Sequence, residues 1–315
     1  MNNSVLSSLL PVVLLVTIGF IAGRAGWIRA QAIKDLSNLV FMVLTPALLF
    51  RTMSTVHVEQ LNFKPVLMYF LAAMLLFAFV LFWQGGTRRA AVLALAATFS
   101  NTVMIGIPLV GLAYGQAGLV TLFTLISVHS LVLLTFTTVV LELAVVREQA
   151  AAGDGGGQHM LLTVLGAVRS GVVHPVPLPI IVGLLFAQTG LVMPEVVDRP
   201  LQLLGNAFGP VALVLVGVTL TAVRIGDHLK AALGLSLLKN LAFPALVALL
   251  CWGMGLSGLP LTVMIVTAAL PIGANVFLFS QRYQVAEELV TASMAVSTAL
   301  ALVTLTLVMA LVGLL

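Results

Sequence analysis

Two hydrophobic stretches of the chain are interrupted at their centres, by SNTVMIGIP at residues 100–108 and by LPIGAN at residues 270–275. A proline inside a helix removes one backbone donor and clashes with the preceding turn, at a cost of about 3 kcal/mol. Hydrocarbon offers no water to the freed backbone groups, so unwound backbone survives there only where protein or a polar cavity supplies partners. The two stretches therefore predict a pair of broken helices beside a polar site.

The composition around these stretches is that of a membrane protein. Of the 315 residues, 61% are hydrophobic and 8% are charged, and the mean hydropathy is +1.20. A soluble domain carries about a quarter charged residues. A spanning helix needs about 20 apolar residues. Ten segments are near that length: 5–22, 36–53, 65–83, 90–112, 118–143, 172–188, 202–222, 231–252, 260–281 and 288–313. We therefore expect an all-α integral membrane protein of ten transmembrane helices, spans 1 to 10.

The basic residues predict the orientation of these spans. With the N-terminus outside, ten of the fourteen Lys and Arg fall in cytoplasmic loops, three in outer loops and one, Lys239, within span 8. This bias follows the positive-inside rule and predicts a multi-pass protein of the plasma (inner) membrane with both termini outside. The net charge of +4 reflects that orientation. It indicates no nucleic acid partner, which would require a clustered basic face.

Five glycine and proline positions recur 163 or 164 residues later. The pairs are Pro11 and Pro175, Gly19 and Gly183, Gly26 and Gly190, Pro46 and Pro210, and Pro108 and Pro271. The pattern predicts a five-helix repeat at residues 1–146, a flexible cytoplasmic linker at 147–158 and a second repeat at 159–315. Because five is odd, the second repeat is inverted relative to the first, as in carriers that work by alternating access.

The broken helices predict an anion site. Each half-helix N-terminus carries roughly +0.5 charge and unsatisfied N–H groups, so a carboxylate is a natural ligand. Asn101 and Asn275 either contact the substrate or cap the broken helices. Lys239 either has a functional role, in which it balances the negative charge of the substrate or partners the C-terminus of a broken half-helix, or extends its long side chain to the cytoplasmic interface. The candidate substrate-binding residues are Asn101, Thr102, Gly106, Pro108, Pro271, Gly273, Asn275 and Lys239.

Enzymatic readings find little support in the sequence. The GLSG at residues 255–258 resembles the serine motif of rhomboid-type intramembrane proteases, but no histidine follows His228 to serve as the base. The spans contain no Asp, and the His and Cys residues lack metal-ligand spacing. His129 in span 5 could relay protons, although a hydrogen-bonded packing role is the preferred interpretation. We expect no enzyme activity, no cofactor and no metal site.

Four motifs resemble the auxin efflux carrier family. They are NTVMIGIPL at 101–109, PALLF at 46–50, Pro210 with VGVTL at 216–220, and AALP at 268–271 continuing to Tyr283. The resemblance implies two inverted five-helix repeats in which spans 4 and 9 cross as broken helices. It implies a transport domain of spans 3–5 and 8–10. Spans 1, 2, 6 and 7 would form a scaffold, often the surface of a homodimer.

The short linker is similar to that of the compact bacterial members, which the resemblance associates with small carboxylates such as malonate or malate. The sequence thus predicts a secondary transporter that moves a small organic anion through the lipid bilayer by an elevator-like mechanism. A sodium- or proton-coupled symporter and an anion channel stay open as alternatives.

Overall fold

A computed structural model describes residues 3–29, 31–57, 59, 61–152, 176–223 and 226–313. Within these ranges the chain is helical, and extended backbone pairs only at one isolated bridge. Among the described residues, six helical segments are long and apolar enough to cross a membrane, and three shorter helices are also apolar. The prediction of an all-α protein with several membrane-crossing helices is confirmed.

The helices of the described residues are numbered here in chain order. They are α1 (Asn3–Arg24), α2 (Ala32–Leu39), α3 (Thr45–Met53), α4 (Phe63–Trp83), α5 (Arg88–Thr98), α6 (Ile107–Ala152), α7 (Pro177–Gln188), α8 (Glu195–Leu220), α9 (Leu229–Leu237), α10 (Phe243–Gly253), α11 (Gly258–Ala268), α12 (Asn275–Tyr283) and α13 (Glu287–Val312). A 3-10 turn, Gly226–His228, leads into α9. Three π-helical turns, Val40–Leu44, Thr102–Gly106 and Leu238–Ala242, lead directly into α3, α6 and α10.

Each π-helical turn ends two residues before a proline, at Pro46, Pro108 or Pro244. The residue before each proline donates its N–H to the carbonyl five positions back. The three bonds run from Thr45 to Val40, from Ile107 to Thr102 and from Phe243 to Leu238. A proline ring clashes with the carbonyl four residues before it in a regular α-helix. The wider π-helical turn accommodates each proline ring, so the helix continues without a complete break.

The helix α6 reverses direction at Gly115, whose φ of 59° and ψ of −154° are not helical. A Cβ on Gly118 would lie 3.1 Å from Val110 Cγ1. Eight residues along a straight helix would separate these positions by about 12 Å. The sharp turn falls between the predicted spans 4 and 5. Residues 147–152, which the sequence assigns to the linker, are the last part of α6. The rest of that linker, residues 153–158, lies outside the described residues, as does Pro175.

The helices pack as two groups. In the first group, α1 packs along α8, and α3 packs against α7 and α8. At the α1–α8 contact a Cβ on Gly19 would lie 2.0 Å from Val214 O, and a Cβ on Gly217 would lie 2.0 Å from Val16 O. Because backbone lies against backbone at both points, only glycine fits there. In the second group, α4 packs on α5 and α10, α10 on α11, α11 on α6, and α9 on α13.

An ion pair ties two members of the first group at one end. The guanidinium of Arg51, in α3, donates from Nε to Asp198 Oδ1 at 2.7 Å and from Nη2 to Oδ2 at 3.0 Å. Asp198 lies in the first turn of α8, where the helix dipole also favours a carboxylate.

Candidate functional site

Both sequence interruptions are unwound in the structure, and they pair with each other. The helix α5 ends at Thr98, and α11 ends at Ala268. Asn101 N donates to Pro271 O at 2.8 Å, and Gly273 N donates to Phe99 O at 2.9 Å. The two bonds flank an antiparallel bridge between Ser100 and Ile272. Each unwound segment thus satisfies backbone groups of the other, which is the condition for broken backbone inside a bilayer.

The glycines of the two stretches permit this close approach. A Cβ on Gly273 would lie 2.7 Å from the Phe99 ring and 3.0 Å from Ser100 O. A Cβ on Gly106 would lie 2.8 Å from Leu270 Cδ1. Neither glycine has a positive φ. The small size of both glycines is required because the other interruption lies against each of them.

Pro108 lies outside the unwound segment. The non-helical residues of the first interruption are 99–101, and Pro108 is the second residue of α6. Its ring is accommodated by the π-helical turn Thr102–Gly106, so the break is not at the proline. The unwound backbone therefore lies at the N-terminal end of the predicted 100–108 stretch and not at its proline. In the second stretch Pro271 does lie in the unwound backbone, where its carbonyl accepts from Asn101.

Asn101 caps the helix that follows the first interruption. Its Oδ1 accepts from Met104 N at 3.3 Å, which satisfies one of the free donors at a helix N-terminus. Its Nδ2 makes no hydrogen bond with another described residue. The sequence left capping and substrate contact as alternatives for this residue. The geometry combines a capping oxygen with an amide nitrogen that is available as a donor.

Asn275 begins α12 after the second interruption, and the residue at the N-cap is Ala274. The Asn275 side chain is partly buried, and the structure gives it no hydrogen-bond partner among the described residues. The Asn275 side chain therefore does not cap α12 in this conformation, although capping was one of the two roles considered for it.

A cavity of about 440 Å³ opens beside the paired interruptions. The polar described residues that line it are Ser37, Asn38, Ser100, Asn101, Thr102, Ser130 and Asn275. Ser37 and Asn38 come from α2, and the rest of the described wall comes from the π-helical turn that follows α2, the two interruptions, α6, Val176 before α7, α12 and α13. Its described lining contains no charged side chain. The positive ends of two helices, the one led by Thr102 and α12, border the cavity.

The cavity includes four of the eight predicted site residues, namely Asn101, Thr102, Gly273 and Asn275. The other four are not part of its wall. Gly106 and Pro108 lie in the helix behind the first interruption, Pro271 participates in the backbone pairing, and Lys239 lies deeper in the second helix group.

Lys239 is fully buried in the π-helical turn between α9 and α10. Its Nζ donates to Ala268 O at 2.7 Å and to Leu270 O at 2.6 Å. The ammonium also lies 5.2 Å from the centroid of the Phe243 ring. The two carbonyls are at the end of α11, where the helix dipole is negative. Extension to the membrane interface, one of the two roles considered, does not occur.

Asn240, next to Lys239, organises a network that sequence reasoning missed. Ile272 N donates to Ser297 Oγ at 3.0 Å, and Ser297 Oγ donates to Asn240 Oδ1 at 2.8 Å. Asn240 Nδ2 donates to Ser297 O at 2.9 Å and to Thr304 Oγ1 at 3.3 Å. Through Ser297, the network supplies a hydrogen-bond acceptor to the buried backbone N–H of Ile272. Two adjacent polar residues in the middle of span 8 were the signal that could have revealed it.

A second buried chain of polar groups lies on the other side of the bridge. Tyr69 Oη is 2.9 Å from Ser100 Oγ and 3.3 Å from His129 Nε2. The His129 ring also contacts the Phe99 ring in a tilted arrangement, with 4.6 Å between centroids and 46° between the ring planes. This placement agrees with the packing role preferred for His129, and it fixes the first interruption in the way that Ser297 fixes the second.

The GLSG sequence forms the turn between α10 and α11. Gly255 and Gly258 have φ values of 68° and 72°, which favour glycine, and Ser257 precedes the first residue of α11.

Comparison with known proteins gives one family and several full-length relatives. The family model described as "Membrane transport protein" matches residues 4–309. The "Putative malonate transporter" of Rhizobium meliloti (strain 1021) is 26% identical over 305 residues, 94% of this chain and 92% of that protein. The "Uncharacterized transporter YfdV" of Escherichia coli (strain K12) is 24% identical over 302 residues, 93% and 92% of the two chains. The "Auxin efflux carrier component 8" of Arabidopsis thaliana is 22% identical over 348 residues, 95% of each.

Proposed function

We propose that this chain, which belongs to the membrane transport protein family, is a secondary transporter that moves a small organic anion across the plasma membrane. The resemblance to auxin efflux carriers seen in its motifs is confirmed. The observation that carries the proposal is the cavity beside the paired interruptions. It brings two helix N-termini together with Asn101 Nδ2 and the Asn275 side-chain amide, neither of which has a hydrogen-bond partner among the described residues. Its described lining contains no charged side chain.

The electrostatics of this cavity favour a carboxylate. Two N-terminal helix ends together provide roughly one positive charge, which acts strongly where water is excluded. An amide N–H to a charged acceptor stabilises a complex by about 1.5–3 kcal/mol. Because no lysine or arginine of the described lining holds the ligand permanently, the site can release it. A relative named as a malonate transporter supports malonate as the first substrate to test.

We propose that the chain forms ten transmembrane helices in two inverted five-helix repeats, with the broken spans 4 and 9 crossing at the paired interruptions. Spans 1, 2, 6 and 7 would be the scaffold, and spans 3–5 and 8–10 the moving transport domain. The packing of α1 and α3 on α7 and α8 supports this division, as does the packing of α4, α5 and α9 to α13 among themselves. The cavity, bordered by α2 and by both interruptions, lies where an elevator movement would carry it.

Both termini are proposed to lie outside the cell, on the basis of the positive-inside bias. The scaffold is the natural contact of a homodimer in this mechanism, because it does not move. Exposed apolar residues of α1, among them Leu10, Leu14, Ile18 and Ile21, would face lipid or a second copy. Molecular mass in detergent, measured by light scattering, tests the dimer.

Counterflow in proteoliposomes tests the proposed function. Vesicles loaded with unlabelled malonate should accumulate external labelled malonate transiently, and the initial rate should saturate. A channel would not accumulate label by exchange, so a linear flux without counterflow would contradict the proposal. Thermal unfolding of the purified protein with mono- and dicarboxylates identifies the preferred anion, because a ligand that binds only the folded form raises its apparent stability.

A further inference from the structure

The buried amine of Lys239 has the surroundings of a bound cation. Its two hydrogen bonds, at 2.6 and 2.7 Å, are as short as charge-assisted bonds. The acceptors are the backbone carbonyls of Ala268, at the negative end of α11, and of Leu270, two residues further on, and the Phe243 ring centroid lies 5.2 Å from the amine. No carboxylate forms an ion pair with it among the described residues. The groups around the amine are therefore carbonyl oxygens and a π face, which are ligands of monovalent cations in general.

We propose that Lys239 is a resident cation that replaces a coupling ion in the transport cycle. The break that creates the anion site also creates a helix C-terminus at α11, and a cation stabilises such a negative end. A covalently attached ammonium neutralises the C-terminus of α11 and cannot be released with the substrate. Transport then requires no sodium or potassium. This inference depends on the proposed function, and it assigns Lys239 a positioning and charge-balancing role instead of contact with the substrate.

The resident charge has a consequence for the response to membrane potential. If Lys239 moves with the transport domain, its positive charge offsets one of the two negative charges of a dianion such as malonate. The bound complex then moves with one net negative charge. Without the lysine the same complex moves with two. Moving one charge across 100 mV changes an equilibrium by about fifty-fold. Consider malonate exchange with equal, saturating malonate on both sides and a bound complex whose charge crosses the whole membrane potential. Relative to zero potential, 100 mV should then slow exchange about four-fold in the wild type and about twenty-five-fold in the uncharged variant.

The first experiment measures malonate exchange at about pH 8 with potassium and valinomycin setting the potential. Lys239→Met retains the apolar stem and removes the charge, and it should steepen the potential dependence as stated. Lys239→Arg should restore the weaker dependence. Lys230→Ala, which removes a positive charge from the exposed face of α9, is the matched control and should behave as the wild type. If exchange by the wild type and by Lys239→Met depended equally on potential, the proposal that Lys239 is a resident cation would be refuted.

The second experiment requires no transport, so it separates this inference from the proposed function. Thermal unfolding of the purified protein is followed in choline, sodium and potassium chloride at equal concentration. The wild type should unfold at the same temperature in all three. Lys239→Ala, which opens space beside Ala268 O and Leu270 O, should unfold earlier in choline and regain stability with sodium or potassium.

Three results of the second experiment would overturn the inference. They are stabilisation of the wild type by sodium or potassium, a Lys239→Ala protein as stable as Lys230→Ala, and a loss of stability that neither cation relieves. Absence of saturable exchange of malonate or any other small carboxylate in the wild type, together with the expected unfolding pattern, would instead refute the proposed function and leave the cation role of Lys239 supported.

Discussion

Replacing Asn101 by aspartate separates its two roles, because the new side chain has the same shape. The capping oxygen that accepts from Met104 N at 3.3 Å is retained. The amide nitrogen that borders the cavity becomes a second carboxylate oxygen. Asp is as good an N-cap as Asn and is favoured by the helix dipole, so the folded state should lose little stability. Binding of an anion should weaken greatly.

The size of the effect follows from the lost donor and the added charge. A hydrogen bond to a charged group contributes about 1.5–3 kcal/mol, or roughly 10- to 150-fold in affinity. Two like charges about 4 Å apart repel by about 4 kcal/mol at an effective dielectric constant near 20. We therefore expect the half-saturation concentration for malonate to rise at least about a hundred-fold. Asn101→Ser, which retains a capping oxygen and adds no charge, should show only the first effect.

Counterflow kinetics and unfolding temperature, measured on the same preparations, provide the assay. Asn62→Asp is the control, since Asn62 caps α4 through a bond to Lys64 N at 3.1 Å and is exposed. It introduces the same change at an N-cap that does not line the cavity, and it should leave malonate affinity unchanged. If Asn101→Asp transported malonate with wild-type affinity, the assignment of the anion to this helix end would be refuted.

Gly273→Ala should slow transport and cost about 1–3 kcal/mol of stability, because the added methyl meets an aromatic ring and a backbone carbonyl. Gly106→Ala meets only the end of a flexible leucine and should be milder; equal effects on unfolding temperature would contradict this. Gly217→Ala forces α1 and α8 apart and should reduce the yield of folded protein in detergent, whereas Gly234→Ala, with open space around it, should stabilise by up to about 1 kcal/mol. Ser297→Ala leaves a buried backbone N–H without its acceptor and should cost about 1–3 kcal/mol, visible as a lower unfolding temperature and as faster amide exchange in the second interruption.

The sequence was sufficient to locate the two interruptions. Proline, glycine and asparagine are costly in the middle of an apolar helix. A cluster of them therefore indicates an interrupted helix, independently of how the rest of the chain folds. The composition alone predicts the membrane setting. The position of the first break was less accurate, because the sequence does not show that a π-helical turn will accommodate Pro108.

The partners of the interruptions could not be predicted. Ser100 meets Tyr69, and Ile272 meets Ser297, through contacts between residues 31 and 25 positions apart that have no local pattern. The use of Gly106 and Gly273 as points of close approach also depends on tertiary packing. Lys239 was identified as unusual from its place in an apolar span, but only the structure places its amine on carbonyls and away from the cavity.

The most direct test of the central claim is a cryo-EM map of the protein in saturating malonate. We expect ligand density in the cavity, within hydrogen-bond distance of Asn101 Nδ2 and the Asn275 amide, with the backbone of residues 99–101 still paired to residues 271–273. Density for malonate at another place, with this cavity empty, would contradict it.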